Sequence, residues 1–304
     1  MTKTVRASIG VAAATGAALG IALIAQMHAP HNMAEPKYIE LPAEGLSLPM
    51  QDFGGRPVVE VYVNEKGPYR FILDTGANIN VASVELDREL AFRRSTVSAK
   101  STNGPVPQIV IIDKLRVGGA VLGEMLAAVM PLSNLINGTD APKGVLSAAS
   151  FPGCLLTYDY PARRIVIRKG ELPAAGANGI FNYPSGRPLP SMQVRVAGVE
   201  AQVLLDTGGG AGLTLPTFYL KKIPLASEPK ETKAVRLIGR DFPATIARVD
   251  GPIEVGGYKL DLAEVRFSDE QPTADSPIGS IGYEVLRHFV VTIDSKNQRV
   301  KLSR

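Results

Sequence analysis

RFILDTGAN, residues 70–78, and QVLLDTGGG, residues 202–210, decide the reading of this 304-residue chain. Each is a short apolar run that ends in Asp-Thr-Gly, carried by Asp74, Thr75 and Gly76 in one and by Asp206, Thr207 and Gly208 in the other. Each is preceded by an alternating stretch and a turn, VVEVYVNEKGPY at 58–69 and MQVRVAGVE at 192–200, the pattern of a hairpin whose second strand runs into the triplet. One such triplet is no more than a strand followed by a turn, with Asp bonding locally and Gly reversing the chain. Two with matched flanks call for a common explanation.

The match extends outward. LRVGGAVL follows the first triplet and IEVGGYKL the second, with Gly118 and Gly119 answering Gly256 and Gly257, 44 and 50 residues after the respective aspartates. VLSAASFPGCLLTYDYPARRIVI, residues 145–167, then aligns without a gap on SIGYEVLRHFVVTIDSKNQRVKL, residues 280–302. Ser147 meets Gly282, Phe151 meets Leu286, Thr157 meets Thr292, Asp159 meets Asp294 and Arg164 meets Arg299. Agreement at several separated points makes the chain a tandem duplication. The expected organisation is an export segment over 1–36, a first half over 37–172, a Gly- and Pro-laden linker over 173–185 and a second half over 186–304. The many Val and Thr, 23 prolines and 30 glycines predict a mainly β protein. KSTNGPVPQIVIID and RLIGRDFPATIARVD, where the spacing of the copies differs, are expected to form β-hairpins that fold over a cleft.

In FILDTGA, VLLDTGG, GVLSAAS, SIGYEVL and the ending FVVTIDSKNQRVKL, the chain resembles the aspartic peptidases. It is more similar to the retropepsin-like bacterial members than to the larger pepsins, from about residue 55 onward. The resemblance implies two homologous β-barrel halves of the six-stranded type, facing each other across a pseudo-twofold axis, with one active site there. It implies Asp74 and Asp206 as the catalytic pair, supported by Thr75, Gly76, Thr207 and Gly208, with each Thr hydroxyl bonded across to the opposite loop. The sequence departs from the family pattern at two places. Ser147 stands where the second copy has Gly282, and Gly209 follows the second triplet where Ala or Ser is usual.

Hydrolysis by this route needs two carboxylates close enough that both cannot ionise together. One then takes a proton from water while the other, protonated, polarises the scissile carbonyl. The glycines are expected to let the chain turn tightly and to leave backbone N–H groups free for the carboxylates. No metal, cofactor or covalent intermediate enters, so the cofactor expectation is none. The substrate class is a protein or peptide, and the active form is expected to be a monomer.

Composition excludes other chemistries. Cys154 is the single cysteine, so neither an intrachain disulfide nor a cysteine metal cluster can form. Of three histidines, only His288 lies in the body of the chain, too few for a histidine triad or a two-histidine zinc site. Net charge is +4 with scattered basic residues, which gives no nucleic-acid footprint. TGGGAG, residues 207–212, lacks the spacing of a phosphate loop, and Asp159 and Asp294 are expected to be turn formers. Lys3 and Arg6 before the uncharged run 7–25 predict a signal peptide or an uncleaved membrane tether, and so an exported, periplasmic or inner-membrane-anchored protein. The competing function is a catalytically inactive peptide-binding module that keeps the cleft, and Ser147 is the feature that favours it. A further alternative pairs each half with the same half of another chain.

Overall fold

The computed structural model describes residues 33–304 except 98–105, 134–137, 139, 177–178, 185–188, 238–239, 261, 263 and 270–277. The expected hydrophobic helix over 7–25 lies outside the described residues. Among those described, no helix is long and apolar enough to cross a membrane.

Alternating apolar residues build the sheets. Arg56–Val63 and Lys66–Asp74 form the first hairpin, in which Val58 pairs with Ile72 and Val59 with Phe71. All four of these side chains are almost wholly buried. Ser191–Val196 and Val199–Leu205 form the second, in which Met192 pairs with Val203 and Ser191 with Leu204. Each hairpin belongs to its own nine-stranded sheet, one drawn from residues 38–147 and the other from residues 191–281.

The centres of the two sheets have the same order and sense. In the first, Gly144–Ser147 lies between Lys66–Asp74, to which it is parallel, and Asn80–Ser83, to which it is antiparallel. In the second, Gly279–Ile281 lies between Val199–Leu205, parallel, and Leu213–Leu215, antiparallel. A parallel neighbour follows on the far side in both, Ala120–Met130 in one and Val265–Phe267 in the other. The matched Gly-Gly pairs turn tight hairpins, with Gly118, Gly256 and Gly257 at positive φ.

A six-stranded sheet takes strands from the start, middle and end of the described residues: Leu46–Pro49, Cys154–Asp159, Arg164–Lys169, Ile180–Asn182, Val290–Asp294 and Arg299–Ser303. At its centre Leu155 pairs with Asp294, Thr157 with Thr292 and Asp159 with Val290. This register maps onto itself when the 145–167 and 280–302 segments are exchanged. Thr157 therefore meets its own counterpart, Oγ1 to Oγ1 at 2.9 Å. A single large apolar core runs beneath all three sheets, with Phe71, Phe151, Tyr158, Phe267 and Phe289 among its fully buried side chains.

The structure departs from the sequence reading in the linker. The Gly- and Pro-rich linker carries a strand, Ile180–Asn182, because Ile180 and Tyr183 are buried and the backbone pairs with residues 299–301. Residues 230–237 and 240–247 do form a hairpin. The first part of the other expected hairpin, over 100–113, lies outside the described residues, and its remaining strand, Gln108–Val117, pairs with Ala120–Met130 and Arg93–Arg94.

Candidate active site

Each aspartate ends a buried strand and is flanked by a parallel neighbour. Ser147 lies beside Asp74 in register, and the backbone N–H of Asp206 donates to the carbonyl of Ile281 at 2.9 Å. Asp74 and Asp206 are 0% and 3% exposed. Strand pairing on one side and apolar packing below leave the two loops little freedom to move.

The two Asp-Thr-Gly loops are bonded to each other. Thr75 donates its hydroxyl to the carbonyl of Leu205, and Thr207 donates its own to the carbonyl of Leu73 at 2.9 Å. In return the backbone N–H of Thr75 donates to Thr207 Oγ1, and that of Thr207 to Thr75 Oγ1, each at 3.0 Å. Every one of these groups is buried, so each bond lost would strand a partner away from water. Asp74 Oδ1 accepts the N–H of Gly76 at 2.7 Å and the N–H of Gly208 at 3.1 Å. Among the described residues neither Oδ2 of Asp74 nor Oδ1 of Asp206 has a hydrogen-bond partner. These are the atoms on which a shared proton and an attacking water would act.

The N–H groups of both glycines serve a carboxylate as expected, but backbone freedom is not what requires glycine there. Gly76 and Gly208 are not at positive φ. A Cβ on Gly76 would lie 2.7 Å from Asp206 Oδ1, and one on Gly208 would lie 2.4 Å from Asp74 Oδ2. Each triplet's glycine thus makes room for the opposite carboxylate.

Ser147 also has a clear place. Its hydroxyl donates to the carbonyl of Ala77 at 2.6 Å and accepts the N–H of Ala149 at 3.1 Å, capping the short 3-10 turn that follows. At the matching position a Cβ on Gly282 would lie 2.4 Å from the carbonyl of Gly209 and 2.6 Å from that of Ala211. The two copies solve the same contact differently, one with a hydrogen bond and the other with a missing side chain.

Electrostatically the pair is strained. Burial raises both aspartates, holding Asp74 well above the ordinary carboxylate range and Asp206 at about 6. Repulsion from Asp206 adds to this at Asp74, while the Arg56 guanidinium and the loop N–H groups oppose it at both. Tyr158 and Tyr160, buried beneath the loops, have phenols pushed well above their usual range and stay neutral.

Residues 59–148 match a family model described as aspartyl protease. Those residues are similar to the aspartyl proteases. The aspartyl protease match includes Asp74, Thr75, Gly76 and Ser147, and ends before the second triplet. A search of curated proteins found no match.

Arg56 is the residue that sequence reasoning missed. It is 4% exposed, and its Nε donates to the carbonyl of Gly208 at 2.8 Å. The available signal was a lone charge, Gly-Gly-Arg-Pro at 54–57, opening a strand that is otherwise mostly buried. The other residues singled out lie elsewhere. Cys154 is a buried free thiol, and burial raises its pKa. His288 is partly buried, which lowers its pKa, and none of its neighbours is an active-site carboxylate. Asp159 and Asp294 accept turn N–H groups from Ala162 and Asn297, as turn formers do. Among the described residues no cluster of three or more His, Cys, Asp or Glu could hold a metal ion.

Proposed function

We propose that this protein is an aspartic endopeptidase whose single active site is the Asp74–Asp206 pair. The observation that carries the reading is the reciprocal bonding of the two loops, which sets two buried carboxylates against each other with one oxygen of each left for chemistry. Two carboxylates so placed share one proton at their working pH. The ionised one takes a proton from water as the water oxygen attacks the scissile carbonyl carbon. The protonated one gives its proton to the carbonyl oxygen, yielding a tetrahedral diol. The proton taken from water then passes to the amide nitrogen, the C–N bond breaks, and a diol proton returns to the second carboxylate.

Both halves of the site come from one chain, which supports catalysis by a monomer. The basic and then apolar N-terminal stretch at residues 3–25 supports export, with the body outside the cytoplasm and the segment as leader or tether. Fractionation of cells expressing the full chain tests that placement: recovery in the soluble cytoplasmic fraction with an intact N-terminus would sink it.

The decisive experiment is cleavage of a denatured protein and a peptide library, from pH 3 to 8, by wild type, Asp74→Asn and Asp206→Asn. Loss of cleavage in each variant, with thermal unfolding preserved, supports the shared pair. A folded wild type that binds extended peptides but never cleaves them supports the binding-module reading instead. Ser147 no longer favours that alternative, because its side chain is a structural cap.

A further inference from the structure

The two halves of the site differ at one buried charge. In the first hairpin the residue paired two positions before Asp74 is Val58, and in the second the residue paired two positions before Asp206 is Ser191. Two residues before Val58 and Ser191 stand Arg56, which opens its strand, and Leu189, which precedes its strand, and these positions are equivalent. Leu189 lines a small cavity with Thr75, Ala77 and Pro190 and brings no charge. Arg56 instead reaches across to the second loop. Its Nε bonds the Gly208 carbonyl at 2.8 Å, and its Nη1 lies 3.5 Å from the carbonyl of Phe53 and 3.4 Å from that of Gly54. A Cβ at Gly210 would sit 3.7 Å from Arg56 Nη2, an ordinary contact distance, which places the guanidinium beside the loop that follows Asp206.

We infer that Arg56 is a positioning residue that breaks the symmetry of the dyad, making Asp206 the ionised general base and Asp74 the holder of the shared proton. This rests on the peptidase reading for its consequence in catalysis, but not for its electrostatics. A buried cation favours the ionised form of the carboxylate it acts on more strongly, and Arg56 interacts more strongly with Asp206 than with Asp74. Arg56 is the first counterweight to burial at Asp206 and the weakest of those at Asp74. The other groups facing the pair do not reverse this order. Tyr158 and Tyr160 are neutral, and Asp52 interacts with Arg56 and Tyr160. Holding the Gly208 carbonyl also fixes the N–H of the same loop that donates to Asp74 Oδ1. One side chain therefore sets both the charge and the geometry.

The test is a carboxyl carbon NMR titration of aspartate-labelled protein from pH 4 to 9, with the dyad signals assigned by their loss in Asp74→Asn and Asp206→Asn. The first dyad ionisation is expected to belong to Asp206. Arg56→Met and Arg56→Gln should raise it by at least about one pH unit, whereas Arg56→Lys, which keeps the charge, should hold it near wild type. Gln retains a donor for the Gly208 carbonyl, so a shift in Gln separates the charge from the clip even if Met fails to fold. A first ionisation at Asp74, or an unshifted titration in folded Arg56→Gln, overturns the inference. In cleavage assays the acidic limb of kcat/KM should move up with the titration. A wild type that cleaves nothing defeats the peptidase reading, while the titration still decides the role of Arg56.

Discussion

Gly208 of the second Asp-Thr-Gly donates its backbone N–H to Oδ1 of Asp74 in the first, at 3.1 Å. The residue that serves the opposite aspartate therefore cannot carry a side chain. In Gly208→Ala the new Cβ would lie 2.4 Å from Asp74 Oδ2 and 2.6 Å from its carboxyl carbon, so the carboxylate must shift. A displacement on the order of 1 Å at a reacting group lowers turnover by roughly 100-fold. Peptide cleavage by Gly208→Ala is expected to fall by at least about that factor, and Gly76→Ala, 2.7 Å from Asp206 Oδ1, should behave alike. Near-normal cleavage by both would mean the carboxylates do not sit as described.

Thr75 and Thr207 act on stability as well as on the site. Thr207→Val removes the donor to Leu73 and the acceptor for the N–H of Thr75. Stranding two buried groups is expected to cost about 3 kcal/mol. Thr207→Ser keeps the hydroxyl and should recover most of it. Denaturant unfolding of the three proteins checks the order, and equal loss in Ser and Val would show that the methyl group matters instead.

Ser147 and Gly282 predict opposite tolerances at matched positions. Ser147→Ala leaves the Ala77 carbonyl and the Ala149 N–H without their buried partner, a loss of about 2 kcal/mol. Gly282→Ala forces a methyl group against two carbonyl oxygens at 2.4 and 2.6 Å, with an expected loss of about 3 kcal/mol or more. Thermal melts of the two variants make the comparison. A benign Gly282→Ala would contradict the close approach.

The dyad should also make stability fall as pH rises. Both folded-state values lie above the ordinary carboxylate range, so the folded chain holds protons that the unfolded chain has released. The stabilisation is complete below about pH 4 and is lost as pH climbs from there towards the folded values, the share from Asp206 being gone by about 6. The double variant Asp74→Asn with Asp206→Asn carries no such protons. Its melting temperature relative to wild type is expected to rise by at least about 5 °C between pH 4 and pH 8. A difference that stays flat with pH would mean that the carboxylates are solvated.

Much of this was legible in the residues. The twin triplets, the Gly-Gly turns and the 145–167 to 280–302 alignment are local patterns, and the paired sheets follow the same correspondence. The Thr157–Thr292 pairing appears in the alignment and again as a 2.9 Å contact. Arg56 was not legible, because a charged residue at the start of a strand is ordinarily solvated and nothing local shows what will cover it. The strand within the linker was hidden by its Gly and Pro neighbours, since its partners at 299–301 are more than a hundred residues away.

Sequence alone determined the repeated strand-and-turn units, the two aspartates at the ends of apolar strands and the shortage of any other chemistry, because periodicity and composition act over a few residues. Tertiary structure alone decided what surrounds those aspartates. Gly76 and Gly208 are needed for space rather than for backbone freedom, and Ser147 is a cap. Arg56 charges one side of the pair, while Leu189 leaves the other apolar. Each of these depends on atoms brought together across the fold, and burial is what turns those meetings into raised carboxylate pKa values and a fixed geometry.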